Sequence, residues 1–325
     1  LEEWSFTEGE VEGGAFPCLK KLYLTGCPRL KVSLPGYLPS LRELKIDKCA
    51  QLLPLLPMTQ PMDSSFPSLE IFIVSHCDGQ DSLLTGGLPS SLKQIIILGC
   101  KNLTTLDEEA FQNLTSLEKL HIFSCDNLRY LPRGLTTCLS LKSLIIVEMS
   151  NLEECFFIEG EIEEGAFPRL EELHLKVCPR LEVSLPHNLP SLTRLEIEEC
   201  LKLLPLFSRA QQMDSAFPSL EILTISGCDG QHSILEGGLP SSLKQIEIYN
   251  CGNLTTLDEE AFQHLTSLGR LDIISCDSLQ CLPRALPTSL STLNIRFCEL
   301  LTPRLQRETG EDWPIIENIP IKRIW

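Results

Sequence analysis

A spaced pattern, Leu-x-x-Leu-x-Leu/Ile-x-x-Cys-x-x-Leu, constrains the fold of this chain more than any other feature. Leu41-x-x-Leu44-x-Ile46-x-x-Cys49-x-x-Leu52 is one instance and Leu117-x-x-Leu120-x-Ile122-x-x-Cys125-x-x-Leu128 another. The Cys slot falls at 27, 49, 77, 100, 125, 178, 200, 228, 251, 276 and 298, with Met149 in the same slot, so there are twelve units 22 to 29 residues apart. In Leu44-Lys45-Ile46 the apolar residues alternate, which points Leu44 and Ile46 to one face of a strand and Lys45 to the other. A unit this short cannot bury its leucines by itself. Stacking units in register puts Leu on Leu and builds a parallel sheet over a continuous core. Truncating one of these leucines to Ala is expected to cost about 2–5 kcal/mol.

This is the leucine-rich-repeat period, one strand per turn of a solenoid. The expected fold class is an α/β leucine-rich-repeat solenoid (horseshoe), with the parallel sheet on the concave face and mostly loops, turns and short helices on the convex face. Leucine supplies 61 of the 325 residues because the pattern demands it. Between strands the chain is broken by Leu-Pro, Phe-Pro and Gly-Gly-Leu-Pro-Ser-Ser, which suits turns rather than long helices. The best helix candidates are Asp107–Leu114 and Asp258–Leu265, each opening on acidic residues that favour a helix N-terminus. Segments 54–66 and 205–217 read as loops projecting from the solenoid, and the acidic segments 2–12 and 153–164 also read as loops.

A longer period overlies the short one. Residues 1–132 align with 152–283 without a gap, and 86 of the 132 positions are identical. The stretch from Asn102 to Phe111 returns intact at 253–262. The chain therefore reads as one solenoid of about twelve repeats over 1–325, a tandem duplication (1–151 and 152–302) followed by a C-terminal capping tail at 303–325. It opens partway through a unit and without Met, which reads as a piece of a longer chain.

The composition narrows the function classes. A net charge of −17 and a pI near 4.8 argue against general nucleic-acid binding, which needs a basic footprint. No apolar run approaches the length of a membrane helix, and the N-terminus lacks a signal core. Eleven of the fifteen cysteines share the repeat slot, where they are expected to form a buried ladder of free thiols. Neighbouring rungs come close to disulfide range, so an oxidised ladder is the alternative; a cytosolic setting argues against it. Cys18, Cys138, Cys155 and Cys281 lie off the ladder. No Cys/His spacing matches a zinc site, none of the six histidines pairs with a nucleophile in a recognised motif, and there is no phosphate-binding glycine loop. The expectation is a chain that is not an enzyme and holds no metal or cofactor.

The two copies supply their own comparison. Of the 25 outward positions on the first five strands, 19 differ between copies; elsewhere 27 of 107 differ. Substitution is thus concentrated on the sheet face, as for a contact surface tuned separately in each copy; the alternative is plain tolerance, because exposed residues cost little to change. Strands one and two present Lys20, Lys21, Arg42, Lys45 and Lys48, where their copies carry Glu171, Glu172, Thr193, Glu196 and Glu199. Mixed-sign patches of this kind suit protein partners of complementary charge. Tyr23, Phe123, Tyr249 and Phe297 add outward aromatics, a residue type enriched at binding hot spots. With Asp47, His121, His174, Lys176, Arg194, Glu198, Asp272 and Arg296, these outward residues form the candidate protein-binding surface. His121 and His174 are expected at exposed strand positions.

The Cys-bearing repeat resembles the leucine-rich-repeat region of plant intracellular nucleotide-binding leucine-rich-repeat disease resistance proteins. Leu117–Pro132 and Leu268–Pro283 match the form LxxLxLxxCxxLxxLP well, and the tail from Gly310 through Trp313-Pro314 to Pro320 resembles the C-terminal ending of the coiled-coil class. The resemblance implies a domain that binds a pathogen effector or a guarded host protein through the concave face and holds the parent receptor inactive. It implies a cytoplasmic location, with the nucleus as a second compartment. It also implies ADP/ATP in a nucleotide-binding domain outside this chain, which is a further, intramolecular partner. The alternative is the substrate-recognition repeat domain of an F-box-type ubiquitin ligase adaptor, which also uses Cys-containing repeats.

Overall fold

The computed structural model describes residues 16–30, 34–52, 62–79, 82–83, 87–153, 167–181, 188–200, 213–228, 233–235 and 238–325. The acidic segments at 2–12 and 154–164, and most of 54–66 and 205–217, lie outside the described residues. The chain divides into two compact units, the first running to Phe156 and the second from Leu170 to Trp325.

In the first unit the strands are β1 (Lys21–Thr25), β2 (Glu43–Asp47), β3 (Ile71–Ser75), β4 (Ser82–Leu83), β5 (Gln94–Leu98), β6 (Thr105–Leu106), β7 (Lys119–Phe123) and β8 (Ser143–Val147). The parallel order β1-β2-β3-β5-β7-β8 makes the main sheet, and β4 pairs with β6 in a separate two-stranded parallel sheet. The second unit repeats the plan with β9 (Glu172–Lys176), β10 (Arg194–Glu198), β11 (Ile222–Ser226), β12 (Ser233–Ile234), β13 (Gln245–Tyr249), β14 (Thr256–Leu257), β15 (Arg270–Ile274) and β16 (Thr292–Arg296). It adds β17 (Ile321–Ile324), which pairs with β16. Every repeat slot thus carries its strand, and the architecture is a leucine-rich-repeat solenoid.

Register explains why the leucines stack. Leu44 and Ile46 lie opposite Phe72 and Val74, which lie opposite Ile95 and Ile97, and so on to Leu144 and Ile146. From Leu44 to Ile146 these inward side chains are almost fully buried, as are their counterparts from Leu173 to Ile295. Phe66, Phe111, Phe217 and Phe262 fill the core behind them. The helices are shorter than the sequence suggests. Asp107 caps Glu108–Gln112 by accepting from the Glu109 amide at 2.9 Å, and Asp258 caps Glu259–Gln263 in the same way. The described ends of the two expected loops are single helical turns, Met62–Ser65 and Met213–Ala216.

The Cys slot has a clear physical role. The residue after each of the twelve repeat strands is left-handed, from Gly26 (φ 67°) through Val177 (φ 51°) to Phe297 (φ 51°). That turn swings its N–H onto the last strand carbonyl of the next repeat: Lys48 donates to Ser75 at 3.0 Å and Val177 to Glu198 at 2.7 Å. The Cys that follows is buried from Cys49 onward, with Met149 taking the slot after β8, and its thiol donates back to the strand end, as Cys49 does to the Asp47 carbonyl at 3.2 Å and Cys251 to Tyr249 at 3.3 Å. A small apolar residue with a weak donor fits this slot. All described cysteines are free thiols. Burial pushes the Cys77 thiol up to about 11 and the Cys138 thiol up to about 12. Cys138 is therefore a core residue although it lies off the ladder, whereas Cys18 is exposed; Cys155 lies outside the described residues.

The tail folds against the last repeat. Arg304 forks onto Asp312 with Nε–Oδ2 at 2.8 Å and Nη2–Oδ1 at 3.0 Å. Lys322 sits 5.6 Å from the Trp313 ring centroid, and its ammonium donates to the Ile319 carbonyl. With β17 alongside, the edge of β16 is paired rather than open.

Candidate protein-interaction surface

Strand alternation sets the candidate residues. With the even positions inward, the first, third and fifth residues of each strand project outward. In the first unit the middle row reads Tyr23, Lys45, Ile73, Ile96, His121, Ile145, and the last row reads Thr25, Asp47, Ser75, Leu98, Phe123, Val147.

The charges at the β1–β2 end are partly committed. Glu43 receives Lys21 at 2.6 Å and the Tyr23 hydroxyl at 2.7 Å, and these two contacts hold its carboxyl below the usual range. Asp47 accepts from Ser75 at 2.8 Å and lies 3.1 Å from His76; the Ser75 hydrogen bond, with help from His76, lowers its pKa against the cost of burial. Arg42 reaches Glu70 only at 3.8 Å. Lys20, Lys45 and Lys48 have no ion-pair partner among the described residues. Tyr23 is half exposed at 51%. Toward β7, Phe123 meets the His121 ring edge-on at 6.2 Å and is only partly exposed.

The second unit presents a different face. Its middle row reads His174, Glu196, Thr224, Glu247, Asp272, Asn294. Most of these side chains are spent on one another. Lys176 bridges Glu196 at 2.7 Å and Glu198 at 3.5 Å, and His174 Nδ1 lies 3.2 Å from Glu196. Arg270 clamps Asp272 with three contacts between 2.9 and 3.1 Å. Arg296 donates to Asn294 at 3.0 Å and lies over the Trp325 ring. Tyr249 is half-buried, and burial together with the Glu247 charge pushes its hydroxyl up to about 12.

Two expectations from the sequence therefore change. His174 is not an exposed residue: its side chain is 17% exposed, Nε2 is buried without a hydrogen-bond partner, and burial lowers its pKa despite Glu196. His121 is also half-buried, 3.2 Å from the Ser143 hydroxyl. Asp272 is 2% exposed and holds Arg270 rather than meeting solvent. Glu171, Glu172, Lys20 and Lys21 are exposed, while Arg194, Glu196 and Glu198 are partly covered. The outward aliphatics Ile73, Ile96, Leu98, Ile145 and Val147 were not among the sequence candidates. Their signal was present, an apolar residue in the x slot of Leu-x-Leu in strands three to six, but it was masked by the stronger charge contrast between the copies.

Among the described residues no cluster of three or more His, Cys, Asp or Glu could hold a metal ion, and no helix is long and apolar enough to cross a membrane. No protein-family model matches the chain. A putative disease resistance protein of Arabidopsis thaliana is 27% identical across 92% of this chain, which covers 21% of that relative. A putative disease resistance RPP13-like protein of the same plant is 34% identical across 38% of the chain, which covers 12% of the relative. The chain thus spans about a fifth or less of the length of these relatives. Among solved structures, the leucine-rich repeat domain of the type III effector XopL superposes with a TM-score of 0.53 over 71% of this chain and 77% of that one, at 24% identity. The chain is a leucine-rich-repeat solenoid whose sequence relatives are disease resistance proteins of Arabidopsis thaliana.

Proposed function

We propose that this chain is the non-catalytic recognition domain of a plant immune receptor of the nucleotide-binding, coiled-coil class, acting in the cytoplasm. Its sheet face receives a pathogen effector or a guarded host protein. In the resting receptor the same domain contacts the nucleotide-binding domain and holds it in the ADP state, and ligand binding shifts that equilibrium toward exchange for ATP. The observation that carries this reading is the contrast within one chain: the inward leucines and the Cys ladder repeat almost unchanged between copies, whereas the outward strand positions do not. The similarity to disease resistance proteins along nearly the whole chain supports the receptor assignment.

The test is affinity capture from plant extract with the chain and with a variant carrying Ala at Lys20, Arg42, Lys45, Glu171, Glu196 and Glu198. A specific protein retained by the first and lost by the second, with circular dichroism unchanged, is the expected result. Identical captured sets from both would remove the sheet face as the recognition surface.

A further inference from the structure

The first unit carries an apolar stripe that its fold does not require. Ile73, Ile96 and Ile145 lie in one outward row on β3, β5 and β8, with His121 between the last two. Leu98, Phe123 and Val147 extend the stripe into the next row. In the second unit the same strand slots carry Thr224, Glu247 and, on the sixth strand, Asn294, over equally buried inward residues. The same scaffold therefore tolerates a polar row. A contiguous outward apolar stripe that packing does not demand marks an interaction site.

Charge selects the partner. The carboxylates bordering the stripe are committed: Glu43 to Lys21 and Tyr23, Asp47 to Ser75 and His76, Glu70 to Lys93, and Glu118 to Lys142. Lys45 lies directly opposite Ile73, Lys48 follows the same strand, and neither has an ion-pair partner among the described residues. Around β1 and β2 the outward cations Lys20, Lys21, Arg42, Lys45 and Lys48 outnumber the carboxylates Glu43 and Asp47, so the β2 end of the stripe is net positive.

We propose that this stripe docks an apolar segment of a protein partner that carries carboxylates at one end, lying with its apolar side chains over Ile73, Ile96 and Ile145 and its acidic end against Lys45 and Lys48. The proposal rests on the recognition role above and narrows it to one unit and one partner chemistry. Burial of the aliphatic row supplies affinity, and the lysines fix orientation and speed association.

The test is selection of phage-displayed random peptides on the whole chain, followed by fluorescence-polarisation binding of the selected peptides. Three variants are compared: Ile73→Thr/Ile96→Glu/Ile145→Asn, which places second-unit residues in first-unit slots; Lys45→Glu; and Lys176→Ala/Glu196→Ala on the second unit. The expected result is an apolar run with Asp or Glu to one side, bound about tenfold more weakly by the triple variant and by Lys45→Glu, and unaffected by the second-unit variant. Ile96→Gln alone serves if the triple variant loses its circular-dichroism signature. Selected peptides that are basic, or that lose affinity only with the second-unit variant, would overturn the proposal and leave the recognition role standing. No selected peptide on either face would overturn both. A concentration-dependent dimer, dissolved by the triple variant in sedimentation, would make a second copy the occupant and likewise overturn it.

Discussion

Replacing Arg270 by Ala should be among the most damaging single changes on the outward face, although Arg270 is itself partly exposed. The reason lies in its partner. Asp272 is 2% exposed, and Arg270 supplies it with three hydrogen-bond contacts of 2.9 to 3.1 Å. Those contacts also raise the Arg270 pKa, led by the Asp272 hydrogen bonds. Across the ladder Asp272 faces Glu247 on one side and Asn294 on the other, neither of them a cation, and the nearby Arg296 on β16 is held by Asn294. Removing one member of a fully buried pair costs about 3–5 kcal/mol. The Arg270 side chain is 43% exposed, so water can reach part of the vacated site and the expected loss is nearer 2–3 kcal/mol. Urea unfolding monitored by circular dichroism should show a lower midpoint with little change in slope. The double variant Arg270→Ala/Asp272→Asn removes the buried charge as well and should recover at least half of the loss. Arg270→Lys keeps the charge but not the fork, and should fall between wild type and Arg270→Ala. A single variant within about 0.5 kcal/mol of wild type, or a double variant no more stable than the single, would refute the assignment of Asp272 as a buried, cation-dependent carboxylate. The first copy provides a reference, because the equivalent slots hold Lys119 and His121.

Three further outcomes follow from the same packing. His174 resists protonation in the folded chain because burial lowers its pKa, so the unfolded chain binds its proton first as pH falls below the ordinary histidine value. Its contribution to stability is therefore complete above about pH 6.5 and is lost on acidification; His174→Gln should flatten the midpoint-versus-pH curve between about pH 7 and 5, and an unchanged curve would count against a buried neutral imidazole. Thiol labelling of the native chain with a disulfide reagent near neutral pH should modify Cys18 rapidly and leave Cys77 and Cys138 untouched until urea is added, because burial keeps them protonated and inaccessible; fast labelling of Cys77 by mass spectrometry would contradict the ladder. A Cβ at Gly310 would lie 2.5 Å from the Arg304 carbonyl carbon and would clash with its oxygen, so Gly310→Ala should loosen the tail and increase hydrogen exchange in 301–325 while leaving β9 to β13 protected; uniform exchange along the unit would show that the tail is not packed as described.

Much of the scaffold was legible before any coordinates. Alternation around Leu-x-Leu identifies the strands, because a residue two along must return to the same face, and the Cys (or Met149) two residues past each repeat strand marks where the chain turns. Helix length was less legible. Asp107 was readable as a helix start, but the helix ends after Gln112 because the next Leu is drawn into the core rather than into a further turn. The left-handed residue after every strand carries Gly at only three of its twelve occurrences, so no glycine pattern announced it; the ladder bond to the next repeat imposes it even on Val177.

What each outward side chain can do was decided only by the folded structure. Sequence places Lys176, Glu196 and Glu198 on strand faces, but parallel register brings residues about twenty apart in the chain within ion-pair distance, and the charges then neutralise one another. The same register buries Asp272 under Arg270 and half-buries His174 against Glu196. It also lines up Ile73, Ile96 and Ile145, which are scattered along the chain, into one row. A repeat pattern fixes which face a residue occupies, because that depends on local alternation. Whether the residue is free to meet a partner depends on what the neighbouring repeats place beside it, and that is a property of the stacked strands alone.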